Sequence, residues 1–285
     1  MEHHMLKIAI VTSCTGEKQH KPNNQLTQND FCDSDVLETR TNELSNYILP
    51  ACDMYTGDQH LRLMQGISEF KAHNHKVELY IVSAGYGLLH ETQHIAPYEC
   101  TFSTMTAKQI NEWSTTLQIP QQCAKVFSQN SFDLVIVLLG DKYLRALQLS
   151  NSTEFNSPTI FLCANKSKEL IKGQGKIFTV PLAATEAKQF HCGLVGLKGE
   201  VAKLLLMRMR TARAIPNEVF SNFLGYIDHD YNPNELPLPS VTKERHAPNV
   251  ITQVENTHPT RLQYFLPDWQ DTVNPDYDFT TDPIR

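Results

Sequence analysis

The sequence predicts an α/β fold built on a doubly wound, mainly parallel sheet with helices on both faces. Five short segments rich in Val, Ile and Phe read as buried strands, and helical periodicity fills the intervals between them. The strand candidates are residues 6–12 (LKIAIVT), 77–83 (VELYIVS), 132–138 (FDLVIVL), 159–163 (TIFLC) and 176–180 (KIFTV). Three are nearly continuous apolar runs, the signature of strands covered on both sides. Helices are expected over residues 34–49, 58–73, 106–127 with a break near Pro120, 142–149 and 199–213.

The chain of 285 residues reads as an α/β body, 1–213, followed by an acidic, Pro-rich extension, 214–285, that packs on the body or is partly disordered. The extension holds 11 acidic and 4 basic residues, a net −7, which leaves the body near neutral at +1. Its aromatics (Tyr264, Phe265, Trp269, Tyr277 and Phe279) favour docking. The longest apolar run, residues 134–139, is far too short to span a bilayer. The opening MEHHMLKIAIVTS lacks a basic leader and a small-residue cleavage site, so it reads as the first strand, and a cytoplasmic protein without a membrane partner is expected. Seven scattered cysteines with no CxxC pair read as reduced thiols, and the lack of a ligand pair at the usual spacing argues against a structural zinc site.

Sheets of this kind bind ligands just beyond the carboxyl ends of their strands. The first strand runs into Ser13, Cys14, Thr15, Gly16, Glu17 and Lys18; the second into Ser83, Ala84, Gly85, Tyr86 and Gly87. The third runs into Gly140, Asp141 and Lys142, and the fourth into Ala164, Asn165 and Lys166. Each end offers a small residue that lets a ligand approach and a polar one to hold it. For any single end a tight turn is the better explanation; four together argue for one shared pocket. SCTGEK is too short for a Walker loop and no GxGxxG follows the first strand, which argues against an NTPase and a dinucleotide enzyme. No GxSxG elbow supports a serine hydrolase. The Asp228-His229-Asp230 triplet reads as a surface turn.

Individual residues suggest roles beside plainer ones. Lys18 can hold a phosphate as a point charge, or be a solvated loop lysine. In ACDMYTGDQH, Asp53 precedes a helix whose cap Asp58 already supplies, so its carboxylate is available to stabilise a cation or direct water, with Tyr55 beside it. Tyr86 and Tyr98 lie in loops containing Gly and Pro, where they can stack a flat ring, and Glu99 can bond a base edge; loop packing explains them too. In HCGLVGLKGE, Gly196, Lys198 and Gly199 open a helix whose amino end can receive an anion. Arg208 and Arg210 further along form either a phosphate-tracking patch or a solvated face.

The segments IVTSCTGEK, ACDMYTG, YIVSAGYGLLHETQHIAPYECTF, LGDKYLRAL and GLVGLKGEVAKLL resemble an uncharacterised bacterial and phage domain family. Its pattern is a first strand ending in a small-residue loop with a lysine, an Asp-Leu-Tyr motif (here Asp53-Met54-Tyr55), a Ser-Ala-x-x-Gly-Leu strand end and an x-Pro-Tyr turn. The family is distantly similar to the uracil-DNA-glycosylase-like superfamily. The resemblance implies nucleobase handling and excision of a base, modified or not, in defence against phage. The chain lacks the GQDPYH and His-Pro-Ser motifs, so uracil specificity is not implied.

The expected function is therefore an N-glycosidase acting on DNA or RNA. Asp53 is the expected catalytic carboxylate, with Asp141 and Glu99 in reserve. Ser13, Cys14, Lys18, Tyr55, Ser83, Gly85, Tyr86, Tyr98 and Gly140 form the expected substrate pocket; Gly196, Lys198, Gly199, Arg208 and Arg210 follow the nucleic-acid backbone. This chemistry needs no metal and no organic cofactor. The alternatives are a non-catalytic nucleic-acid or nucleotide-binding protein, and an enzyme acting on free nucleosides or nucleotides.

Overall fold

The computed structural model describes residues 5–228. Six strands form one mixed sheet: β1 (Lys7–Ser13), β2 (Lys76–Ser83), β3 (Gly87–His90), β4 (Leu134–Leu138), β5 (Glu154–Cys163) and β6 (Gln174–Pro181). Their order is β6-β5-β4-β1-β2-β3. The five strands expected from sequence are all present and parallel; β3 is an antiparallel addition at the edge, paired to β2. From β1 the chain steps first to β2 on one side and later to β4 on the other, so β1 and β4 flank the point where the strand order reverses. Every residue of β4 is buried, as an interior strand requires.

Two groups of helices cover the sheet. In the first, α3 (Asp58–Ala72) packs along α8 (Leu197–Met209). The approach is close: a Cβ on Gly66 would meet the Lys203 backbone, and one on Gly199 the Gln59 carbonyl. The second group comprises α4 (Ala107–Thr116), α5 (Ile119–Phe127) and α6 (Asp141–Ala146). The expected 106–127 helix breaks at Gln118, which takes a left-handed conformation so that Pro120 falls in the first turn of α5, where no N–H is needed. The expected 34–49 helix is shorter: α1 (Ser34–Glu43) stops early, and Leu49–Pro50 instead forms a two-residue strand against His94–Ile95. Pro50 holds Leu49 extended, which keeps the helix from reaching it. A four-residue helix, α2 (Ala51–Met54), follows.

After β6 come α7 (Ala184–Gln189), α8, and two short helices, α9 (Glu218–Ser221) and α10 (Phe223–Asp228). The described start of the predicted extension thus packs on the body: Phe220 lies against Phe178 of β6, and Arg208 covers the Tyr226 ring at 5.0 Å. The described residues all belong to one compact unit. The rest of the extension, its aromatic residues 264–279 and the 228–230 turn after its first residue lie outside the described residues. All seven cysteines are free thiols. No described helix is long and apolar enough to cross a membrane.

Candidate functional site

The carboxyl ends of β1, β2 and β4 gather a set of polar side chains that packing alone does not explain. Ser83, the last residue of β2, is fully buried. Its hydroxyl oxygen accepts the backbone N–H groups of Gly85 (3.1 Å) and Tyr86 (3.0 Å), which fixes the turn. Its own proton goes to the Tyr98 hydroxyl, 2.7 Å away. Tyr98 in turn lies 2.9 Å from the Tyr55 hydroxyl and also hydrogen-bonds Cys14. The Cys14 sulfur is 3.1 Å from the Tyr143 hydroxyl, and Tyr143 bonds the Thr101 side chain. A single network therefore runs from β2 through the Tyr55 and Tyr98 loops to β1 and α6. Burial pushes the Tyr55, Tyr98 and Tyr143 phenols up, so all three are neutral hydroxyls at physiological pH.

Lys18 sits on this network. Its backbone is pinned: it bridges Tyr55, Thr56 N–H donates to the Glu17 carbonyl, and Gln19 N–H donates to the Met54 carbonyl. Its side chain is 7% exposed, with the ammonium 4.4 Å above the centre of the Tyr98 ring. That cation–π contact is its only partner: among the described residues the ammonium makes no hydrogen bond and no ion pair. Burial lowers its pKa, and the nearby Cys14 and Glu99 partly offset this. An ammonium on so enclosed a side chain, with no anion paired to it among the described residues, is open to an anionic ligand. A Cβ on Gly16 or on Gly140, on the loops either side of the strand-order reversal, would meet nothing within 4 Å, so neither glycine obstructs these strand ends.

The three candidate carboxylates have different surroundings. Glu99 is exposed on the two-residue strand that carries Tyr98, and its charge is felt by Lys18. Asp53 is exposed on α2, bonded to the Cys52 thiol and facing His60 electrostatically. Asp141, at the start of α6, is occupied by Lys166 at 2.9 Å and by the Ser167 hydroxyl, which hold its carboxyl below the usual range against the effect of burial. Glu99 is thus the carboxylate whose charge acts on Lys18.

The tyrosines differ from their expected stacking role. Tyr98 is fully buried with Lys18 on one face. The Tyr86 hydroxyl both donates to the Ala96 carbonyl and accepts the Ala96 N–H, so it fastens the loop. Gly85 touches Phe31 and Tyr98 where a Cβ would stand, so it is a packing position. Ser13, at the end of β1, is half-buried.

The expected backbone-binding group is divided between the two ends of the sheet. Gly199 serves the α3–α8 contact, and Gly196 lies against the carboxylate of Asp58, which pairs with Arg62. Lys198 is held beside Asp141 and Cys163 near the ends of β4 and β5, and burial lowers its pKa. Arg208 and Arg210 lie at the opposite end. His75 shows this: its Nδ1 accepts the Leu6 N–H ahead of β1, and its Nε2–H donates to the Arg210 carbonyl at 3.0 Å. Arg208 and Arg210 therefore do not share the edge that carries Lys18.

Cys100, Tyr143 and Trp113 were not anticipated. Cys100 and Trp113 both donate to the Ala84 carbonyl, at 3.0 and 2.7 Å, and so support the end of β2. Tyr143 follows Gly140 by three residues, one turn into α6, which is the signal that would have found it. Among the described residues no group of three His, Cys, Asp or Glu side chains is placed to hold a metal ion.

Residues 41–166 match a family of unknown function (DUF6884). The match takes in Tyr55, Ser83, Tyr98, Glu99 and Tyr143 and stops short of the Lys18 loop and α8. Nothing in it ties the chain to the uracil-DNA-glycosylase-like superfamily. A comparison with curated proteins gives no match.

Proposed function

We propose that this chain is an N-glycosidase whose site lies at the carboxyl ends of β1, β2 and β4. The observation that carries the reading is Lys18: a largely buried lysine whose ammonium, over a tyrosine, has no hydrogen bond or ion pair among the described residues, with Glu99 near enough to act on its charge. Breaking a base–sugar bond puts positive charge on the sugar and negative charge on the departing base. A carboxylate answers the first and a proton donor the second. Glu99 takes the first role and Lys18 the second. The hydroxyl network of Ser83, Tyr98 and Tyr55 holds the ring beneath Lys18 in place. The parallel strand order, with β1 and β4 flanking its reversal, supports a doubly wound topology of the uracil-DNA-glycosylase-like kind, in which right-handed crossovers put the two helix groups on opposite faces.

A single nucleotide is a better substrate than a duplex on one specific ground: Arg208 and Arg210 stand at the far end of the sheet and build no backbone track beside Lys18. The test is to incubate the protein with nucleoside monophosphates and with oligonucleotides, with and without modified bases, and to quantify released bases by mass spectrometry. Release from mononucleotides at least as fast as from polymers is expected. Release from polymers alone would assign a nucleic-acid glycosylase, and ligand binding without release from any substrate would replace the enzyme by a binding protein.

A further inference from the structure

We propose that Lys18 supplies a second, covalent activity: its amine condenses with the aldehyde carbon of an open-chain deoxyribose phosphate to form an imine. The proposal rests on the N-glycosidase reading, because that reaction's sugar product is the electrophile.

Lys18 has the features this chemistry demands. The side chain is nine-tenths buried, and its nitrogen has neither a hydrogen bond nor an ion pair among the described residues. An ordinary structural lysine is engaged, as Lys203 is with Glu200 at 2.7 Å and Lys71 with Glu91 at 2.8 Å. The Lys18 nitrogen is instead held over an aromatic face, 4.4 Å from its centre, by a backbone clamped to residues 54–56. The Gly16 turn beside it opens onto empty space. Burial also favours the uncharged amine, as it does in enzymes that use lysine as a nucleophile.

The two steps join without an added reagent. Lys18 gives its proton to the departing base and is left as a neutral amine beside the sugar carbon that lost it. The nitrogen lone pair attacks the aldehyde carbon, a C–N bond forms, and the carbonyl oxygen takes up the nitrogen's proton. Loss of water from this carbinolamine leaves the C=N bond, and hydrolysis returns aldehyde and amine. No oxidant or reductant enters.

The test traps the imine. Full-length protein is incubated with 2-deoxyribose 5-phosphate and sodium cyanoborohydride near neutral pH, then analysed by intact mass and peptide mapping. The expected result is one adduct, weighing the sugar phosphate less one oxygen, on the peptide that contains Lys18. It forms faster there than on exposed lysines such as Lys108, because burial raises the share of free amine. A Lys18→Arg protein, which keeps the charge, loses it. Labelling spread equally over surface lysines, or an adduct unchanged in Lys18→Arg, overturns the proposal; the mapping on unaltered protein decides even if the variant fails to fold. An adduct at Lys18 in a protein that releases no base keeps the imine and removes the glycosidase reading, whereas base release without an adduct does the reverse.

Discussion

At the residue scale, Ser83 and Tyr98 are tied to one another more firmly than to anything else. Ser83→Ala removes the acceptor for two buried N–H groups and the donor to Tyr98. It is expected to cost about 2–3 kcal/mol in urea unfolding, because buried groups left unsatisfied carry their full desolvation penalty. Lys18 gives a pH effect of definite sign. Its folded-state pKa is below the ordinary 10.5, so unfolding takes up a proton in the window between the two values. Stability contributed by this group therefore rises with pH across that window and is flat above it. The raised tyrosines act in the opposite sense, so the measurement is the urea midpoint of wild type relative to Lys18→Met: the wild type should gain on the variant as pH rises towards 10.5. The strand ends at Ser83, Lys18 and Gly140 could be located from the sequence because small and polar residues follow each apolar run, although any one of them reads equally as a turn. The stacking role for Tyr86 and Tyr98 was not what the fold shows, because sequence reveals a tyrosine in a loop but not that the loop folds back over it. Cys100 and Trp113 left no pattern, since their role is to meet one carbonyl across a distant turn.

At the element scale, the α3–α8 pair is the rigid support of the site. Gln59, near the start of α3, donates to the Thr12 hydroxyl at 3.0 Å and the Leu138 carbonyl at 3.2 Å, spanning β1 and β4. Gly199→Ala drives a methyl group into the Gln59 carbonyl and should destabilise the fold by about 1–3 kcal/mol or more. Gly140→Ala meets nothing within 4 Å and should leave the urea midpoint nearly unchanged while weakening ligand binding. Between the same helices Glu200, 2% exposed, accepts from both Lys203 and Arg62 at 2.7 Å. Removing its charge as Glu200→Gln strands Lys203 and leaves Arg62 with Asp58 alone, and should cost about 3–5 kcal/mol by calorimetry or denaturant. The parallel strands and the long helices were readable from periodicity, to within a few residues at their ends. The edge strand β3 was not, because GLLH is too short to show alternation and its antiparallel partner β2 fixes it.

At the scale of the whole molecule, the direction of the sheet decides which charges can work together. Strand ends bring Lys18 and Glu99 together with a buried hydroxyl network, and the helix that returns along the sheet takes Arg208 and Arg210 away from it. One sequence segment, 196–210, thus serves both ends of the protein, a division that helical periodicity cannot reveal. A double Arg208→Ala, Arg210→Ala protein should lose some thermal stability, since Arg208 covers Tyr226 of α10, yet keep its reaction rate. The central claim is that the chemistry belongs to the Lys18 edge and that Glu99 is its carboxylate. The most direct test compares base-release rates of wild type, Glu99→Gln and Asp53→Asn under identical conditions, with folding checked by circular dichroism. The account predicts a loss of about 10²-fold or more for Glu99→Gln and a near-wild-type rate for Asp53→Asn; equal rates for wild type and Glu99→Gln, or a loss confined to Asp53→Asn, would contradict it.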